Sequence, residues 1–130
     1  MSVILSRFGL SLWAVLLFAP AVLAQEKRGL LLVAHGANAT WNARVRATVA
    51  QVKWDGQVAV AFLMGAEADS AGWDAGVRAL VRRGADQIVA VPLMVSSHGA
   101  HYRQVRYLAG ELSEWPADLG HAHAPAATRL

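Results

Sequence analysis

What most constrains this chain is a repeated change of period. Three short, nearly continuous apolar runs are each followed by a stretch whose apolar residues recur at helical spacing. The runs are Gly29 to Ala34 (GLLLVA), Gln57 to Met64 (QVAVAFLM) and Ile88 to Val95 (IVAVPLMV). Such runs lack the apolar-polar alternation of a half-exposed strand and fit strands covered on both faces, the condition of a parallel sheet. Between them, Thr40 to Val52 sets Trp41, Val45, Thr48, Val49 and Val52 on one helical stripe, with Asn38 or Thr40 as N-cap. Ser70 to Arg83 turns Trp73, Val77, Leu80 and Val81 inward and has Gly84 where a C-cap belongs. A third helix is expected over His101 to Leu112, with Tyr102, Val105, Leu108 and Ala109 on one face.

Strand followed by helix, three times over, implies right-handed crossovers and an α/β fold: a three-layer arrangement of one parallel sheet with flanking helices, a flavodoxin-like half-domain. The fold is expected over residues 25–112. Beyond it, residues 113–130 hold Pro116, Pro125 and many alanines, with no run long enough for a fourth strand, and are expected to form a poorly ordered tail. Three strands make a thin core, so the chain is expected to pair with a second copy as a homodimer.

The first 24 residues read as a leader rather than as fold. Arg7 supplies a positive start, Phe8 to Phe18 an apolar stretch, and Val22-Leu23-Ala24 small residues ahead of Gln25. The expectation is a signal peptide cleaved after Ala24 and a periplasmic or secreted protein, meeting the membrane only transiently through that peptide. The apolar stretch to Ala24 carries Gly9, Ser11 and Pro20 and is shorter than the ~20 residues that span a bilayer.

Composition narrows the chemistry. Cysteine is absent, which removes disulfides, thiolate ligands and cysteine nucleophiles together. The formal net charge of +3 comes from scattered arginines, including Arg44, Arg46, Arg82, Arg83, Arg103 and Arg106, so no nucleic-acid partner is expected. Neither GxGxxG nor GxxxxGK[ST] occurs, and Ser96 and Ser97 lack a GxSxG setting. Trp41, Trp54 and Trp73 are expected in the core.

Histidines stand where the strands end. His35 follows the first run and His98 the third, and in the order 2-1-3 these strands are neighbours whose C-terminal ends share one edge. His101, three residues beyond His98, shares its face if the helix begins by Gly99, or else faces solvent. Glu67 closes the second strand on the same edge and offers a carboxylate able to accept protons. His121 and His123 lie in the tail and are set aside. Neutral imidazole suits Co2+, Ni2+, Zn2+ and Fe2+, and a site of two or three histidines leaves coordination positions open, so that it can hand its metal on. Imidazole also takes up protons near neutral pH.

LLLVAHGA at Leu30 to Ala37, VAVAFLMGAEADS at Val58 to Ser70, RRGADQIVAVPLMVSSHGAHY at Arg82 to Tyr102 and the following RYLAG resemble the small, single-domain sirohydrochlorin cobaltochelatases, relatives of ferrochelatase. The resemblance covers Gly29 to Gly110. It implies a chelatase fold and the insertion of a divalent metal, Co2+ or else Ni2+ or Fe2+, into a sirohydrochlorin-like tetrapyrrole. The metal is then a substrate, and the small forms act as dimers. His35 matches the family's first histidine; His98 and His101 are rival matches for the second. The implied site is therefore His35, His98 and Glu67 for catalysis and His35, His98 and His101 for metal, with Arg103 or Arg106 meeting the acidic side chains of the ring. The chain departs from the family in having Ala37 where HGS is common and Ala68 where proline is common after the glutamate. A binding protein that captures metal or tetrapyrrole without turnover is the alternative from another class.

Overall fold

The computed structural model describes residues 26–120, so the expected leader, His121 and His123 lie outside the described residues. Its elements alternate as β1 (Arg28–Ala34), α1 (Ala39–Val49), β2 (Gln57–Phe62), α2 (Trp73–Arg82), β3 (Gln87–Leu93) and α3 (Ala100–Leu108), followed by a single 3-10 turn at Ala117–Leu119. The three strands form one parallel sheet in the order β2-β1-β3. This is the α/β arrangement the alternating periods require, with β1 central.

Side-chain alternation divides β1 between two faces. Leu31 and Val33 join Ala61 of β2, Trp73, Val77 and Leu80 of α2, and Val105 and Leu108 of α3 in one buried cluster. On the opposite face Leu30, Leu32, Ala34 and Phe62 are buried, and the Phe62 ring meets Trp41 and the Arg46 guanidinium of α1. Two helices thus cover one face and α1 covers the other.

That asymmetry corrects two expectations. The third apolar run is not buried on both sides: Val91 and Leu93, in register with Leu32 and Ala34, are 37% and 44% exposed, and Val95 is fully exposed. Among the described residues, no helix lies over β3 on the α1 face. Nor does α1 bury the stripe its apolar residues suggest. Trp41, Thr48 and Val52 are exposed, and the one fully enclosed residue of the helix is Asn42. Val49 and Val52 instead line an open groove of about 600 Å³ with Val58, Val60, Ala75 and Ala79, because α1 lies over the edge strand β2, where the sheet ends. Val81 of α2, expected inward, is also exposed, while Trp54 is half-buried and Trp73 belongs to the core.

Helix limits follow local chemistry. Asn38 caps α1, its side-chain oxygen accepting the Trp41 N–H at 3.0 Å. The C-cap of α2 is Arg83, with Gly84 one residue beyond. After Leu112 the described chain does not trail away. Pro116 and Leu119 are buried, Trp115 packs edge-on against Tyr107, and Asp118 pairs with Arg103 of α3.

Candidate functional site at the C-terminal edge of the sheet

The site begins where β1 ends. His35 follows Ala34 directly, and its backbone carbonyl accepts the Met64 N–H at 2.8 Å, which fastens the loop after β1 to the loop after β2. Gly36 makes that approach feasible. Its φ is +86°, a conformation that disfavours a side chain, and a Cβ there would lie 2.1 Å from the Met64 carbonyl oxygen. Gly65 mirrors it: φ is +82°, and a Cβ would lie 2.5 Å from the Ala37 carbonyl oxygen.

Asn42 locks the two loops from the side. Its Oδ1 accepts the Ala37 N–H at 3.0 Å, and its Nδ2 donates to Glu67 Oε1 at 2.8 Å. The other Glu67 oxygen accepts from Arg46. One buried amide therefore joins the histidine loop, helix α1 and the β2–α2 loop. The Arg46 guanidinium, with Asn42 second, holds the Glu67 carboxyl below its ordinary value of 4.5, so Glu67 stands as a paired carboxylate with reduced proton affinity.

At the start of α3, the His101 ring meets the His35 ring edge to face, with centres 4.6 Å apart and planes at 83°. Each imidazole is anchored through Nδ1. That of His35 lies 2.9 Å from the Gly36 carbonyl oxygen and that of His101 lies 2.9 Å from Gln104 Oε1. A carbonyl oxygen only accepts, so both contacts assign the proton to Nδ1 and the lone pair of the neutral ring to Nε2. This is the tautomer in which histidine offers Nε2 to a metal while its other nitrogen is held by an acceptor.

His98 is placed differently. It is exposed in the turn between β3 and α3, where Ser96 Oγ accepts its N–H at 3.1 Å and the Ser97 hydroxyl lies 3.3 Å from its Nδ1. Its carbonyl accepts from Arg103 at 2.8 Å. Arg103 is further engaged by Asp118, and Arg106 donates to Glu111 at 2.8 Å, so both arginines expected to meet substrate carboxylates have partners within the chain. The ring contact made by His35 is with His101. Among the described residues, no three His, Cys, Asp or Glu side chains form a cage for a metal ion.

Asn42 and Gln104 escape a reading based on titratable groups. Both carry a signal in hindsight: Asn42, Val45, Arg46 and Val49 form one helical row, as do His101, Gln104, Val105 and Leu108. In each row a polar residue occupies an inward position.

A family model described as CbiX matches residues 29–123. No curated protein and no solved structure matches the chain.

Proposed function

This chain belongs to the CbiX family of sirohydrochlorin cobaltochelatase-type proteins, whose members chelate a divalent metal with a tetrapyrrole, and from that premise we propose that it inserts Co2+ into a sirohydrochlorin-like ring, with His35 and His101 as the pair that carries the ion. The observation that supports this reading is the meeting of those two imidazoles at the C-terminal edge of the sheet, each anchored at Nδ1. Two imidazoles bound through nitrogen to one ion at about 2.1 Å have ring centres roughly 4.5–5.3 Å apart when the angle at the metal is near 90–110°. The separation of 4.6 Å falls in that range.

Two neutral ligands hold an ion weakly enough to release it. A substrate metal must leave, and the remaining coordination positions stay open to water and to pyrrole nitrogens. Insertion displaces two N–H protons. As the ion passes to the ring, the lone pairs on His35 and His101 Nε2 become available and can take up those protons before solvent does. Glu67 is assigned a different task from proton transfer: its charge is committed to Arg46 and Asn42, and it holds the loops that carry His35. His98 shapes the turn that begins α3.

Export and pairing belong to the same reading. Cleavage after Ala24 would deliver Gln25 to Leu130 to the periplasm, and a second copy would cover Val91, Leu93 and Val95. The direct test is to incubate the mature chain with sirohydrochlorin and Co2+ and follow the absorption spectrum against a protein-free control. Catalysed conversion beyond one equivalent of protein supports insertion. A spectral change that stops at one equivalent supports capture without turnover.

A further inference from the structure

We propose that Gln104 is a positioning residue for His101, its side-chain oxygen fixing the imidazole in the tautomer that keeps the proton on Nδ1 and offers Nε2 as ligand. This rests on the reading of His101 as a metal ligand. Three observations carry it.

Gln104 is buried, at 4% exposure, three residues after His101 on the same face of α3. Its Oε1 lies 2.9 Å from His101 Nδ1. An enclosed amide oxygen cannot exchange its donor for bulk water, and leaving it unpaired costs roughly 1–3 kcal/mol. Burial of Gln104 therefore keeps the bond to His101 in place, where an exposed acceptor would let it lapse.

The second observation is the contrast with His98. The group beside its Nδ1 is the Ser97 hydroxyl, which can donate or accept and lies in the open, so it selects neither tautomer. The third is the parallel with His35, whose Nδ1 faces a backbone carbonyl that can only accept. Of the three described histidines, the two whose rings meet are the two backed by an oxygen acceptor with no proton of its own.

Tautomer control can be separated from packing. Gln104→Met keeps most of the volume and removes the amide, whereas Gln104→Glu keeps an oxygen acceptor. Long-range 1H–15N correlation spectra of the metal-free, 15N-labelled chain, recorded at mildly alkaline pH, read which ring nitrogen bears the proton. In the wild type and in Gln104→Glu the proton of His101 should sit on Nδ1. In Gln104→Met it should be shared with Nε2, and Co2+ affinity should fall about 10-fold or more, the usual consequence of losing a partner behind a ligand. In Gln104→Glu the affinity should stay within a few-fold of wild type. A wild-type His101 protonated on Nε2, or a Gln104→Met spectrum with the tautomer unchanged, overturns the proposal. Should Gln104→Met fail to fold, the wild-type and Gln104→Glu spectra decide it alone. His101→Ala separates the two claims: if it binds Co2+ as well as wild type, His101 is not a ligand, and the tautomer spectra still judge the role of Gln104.

Discussion

His35 and His101 stand on different elements, the end of β1 and the first turn of α3, yet their rings meet edge to face with centres 4.6 Å apart. Strand order brings them together. Because β1 and β3 are parallel neighbours, the segments leaving their C-terminal ends emerge at the same edge of the sheet. The β1 segment is held by close backbone contact with the loop after β2, and the β3 segment by the start of a helix. Each support can be removed separately by substitution.

Asn42→Ala should destabilise the protein by about 1–3 kcal/mol, because it strands the Ala37 N–H and removes a donor from Glu67. Urea unfolding followed by circular dichroism measures this. A midpoint equal to wild type would mean that the loops hold together without the amide.

Gly36→Ala should be at least as damaging. The left-handed φ costs a side-chain-bearing residue about 1–3 kcal/mol, and the added methyl meets the Met64 carbonyl as well. The same titration should show a lowered midpoint, and Co2+ binding should weaken even where the chain remains folded, since His35 moves with its loop. Unchanged stability would contradict the close packing of the two loops.

Glu67 gives a pH signature. Its carboxyl is held below 4.5 in the folded chain, so the unfolded chain binds its proton first as pH falls. The stabilisation is complete above about 4.5 and is lost as pH drops through the depressed folded value. The stability difference between wild type and Glu67→Gln should therefore be constant at neutral pH and shrink in the acid range. A difference that does not vary with pH would exclude the ion pair with Arg46 as its source.

Pairing is tested at the uncovered face of β3. Light scattering on a chain of residues 25–130 should give a dimer, and Leu93→Asp, which places a charge on that face, should give a monomer with secondary structure retained. A wild-type chain that is a stable monomer at micromolar concentration would rule the dimer out.

The sheet was legible in the sequence because its central strand obeys the simplest rule: β1 is covered on both faces and reads as unbroken apolar residues. The same rule misled at β3, whose apolar run looks identical although Val91, Leu93 and Val95 on one of its faces are exposed and no helix among the described residues covers them. In α1 the hydrophobic stripe pointed one position away from the inward row, since the residue the fold encloses there is an asparagine serving two loops. His35 could be placed from the end of its strand alone. Which of His98 and His101 stands beside it depended on where the β3–α3 turn gives way to helix, with Gly99 as N-cap and His101 in the first turn. Gln104 and Asn42 bear no charge and belong to no motif, so the bonds each makes became visible only in three dimensions.

The most direct measurement is the initial rate of Co2+ insertion into sirohydrochlorin by wild type, His35→Ala, His98→Ala and His101→Ala under identical conditions. His35→Ala and His101→Ala should each lose nearly all of the protein-dependent rate, and the double variant should be little worse than either, because two ligands that act as a unit are not additive. His98→Ala should retain most of the rate. Loss of rate in His98→Ala with His101→Ala unaffected would contradict the pairing of His35 with His101 as the metal-carrying site.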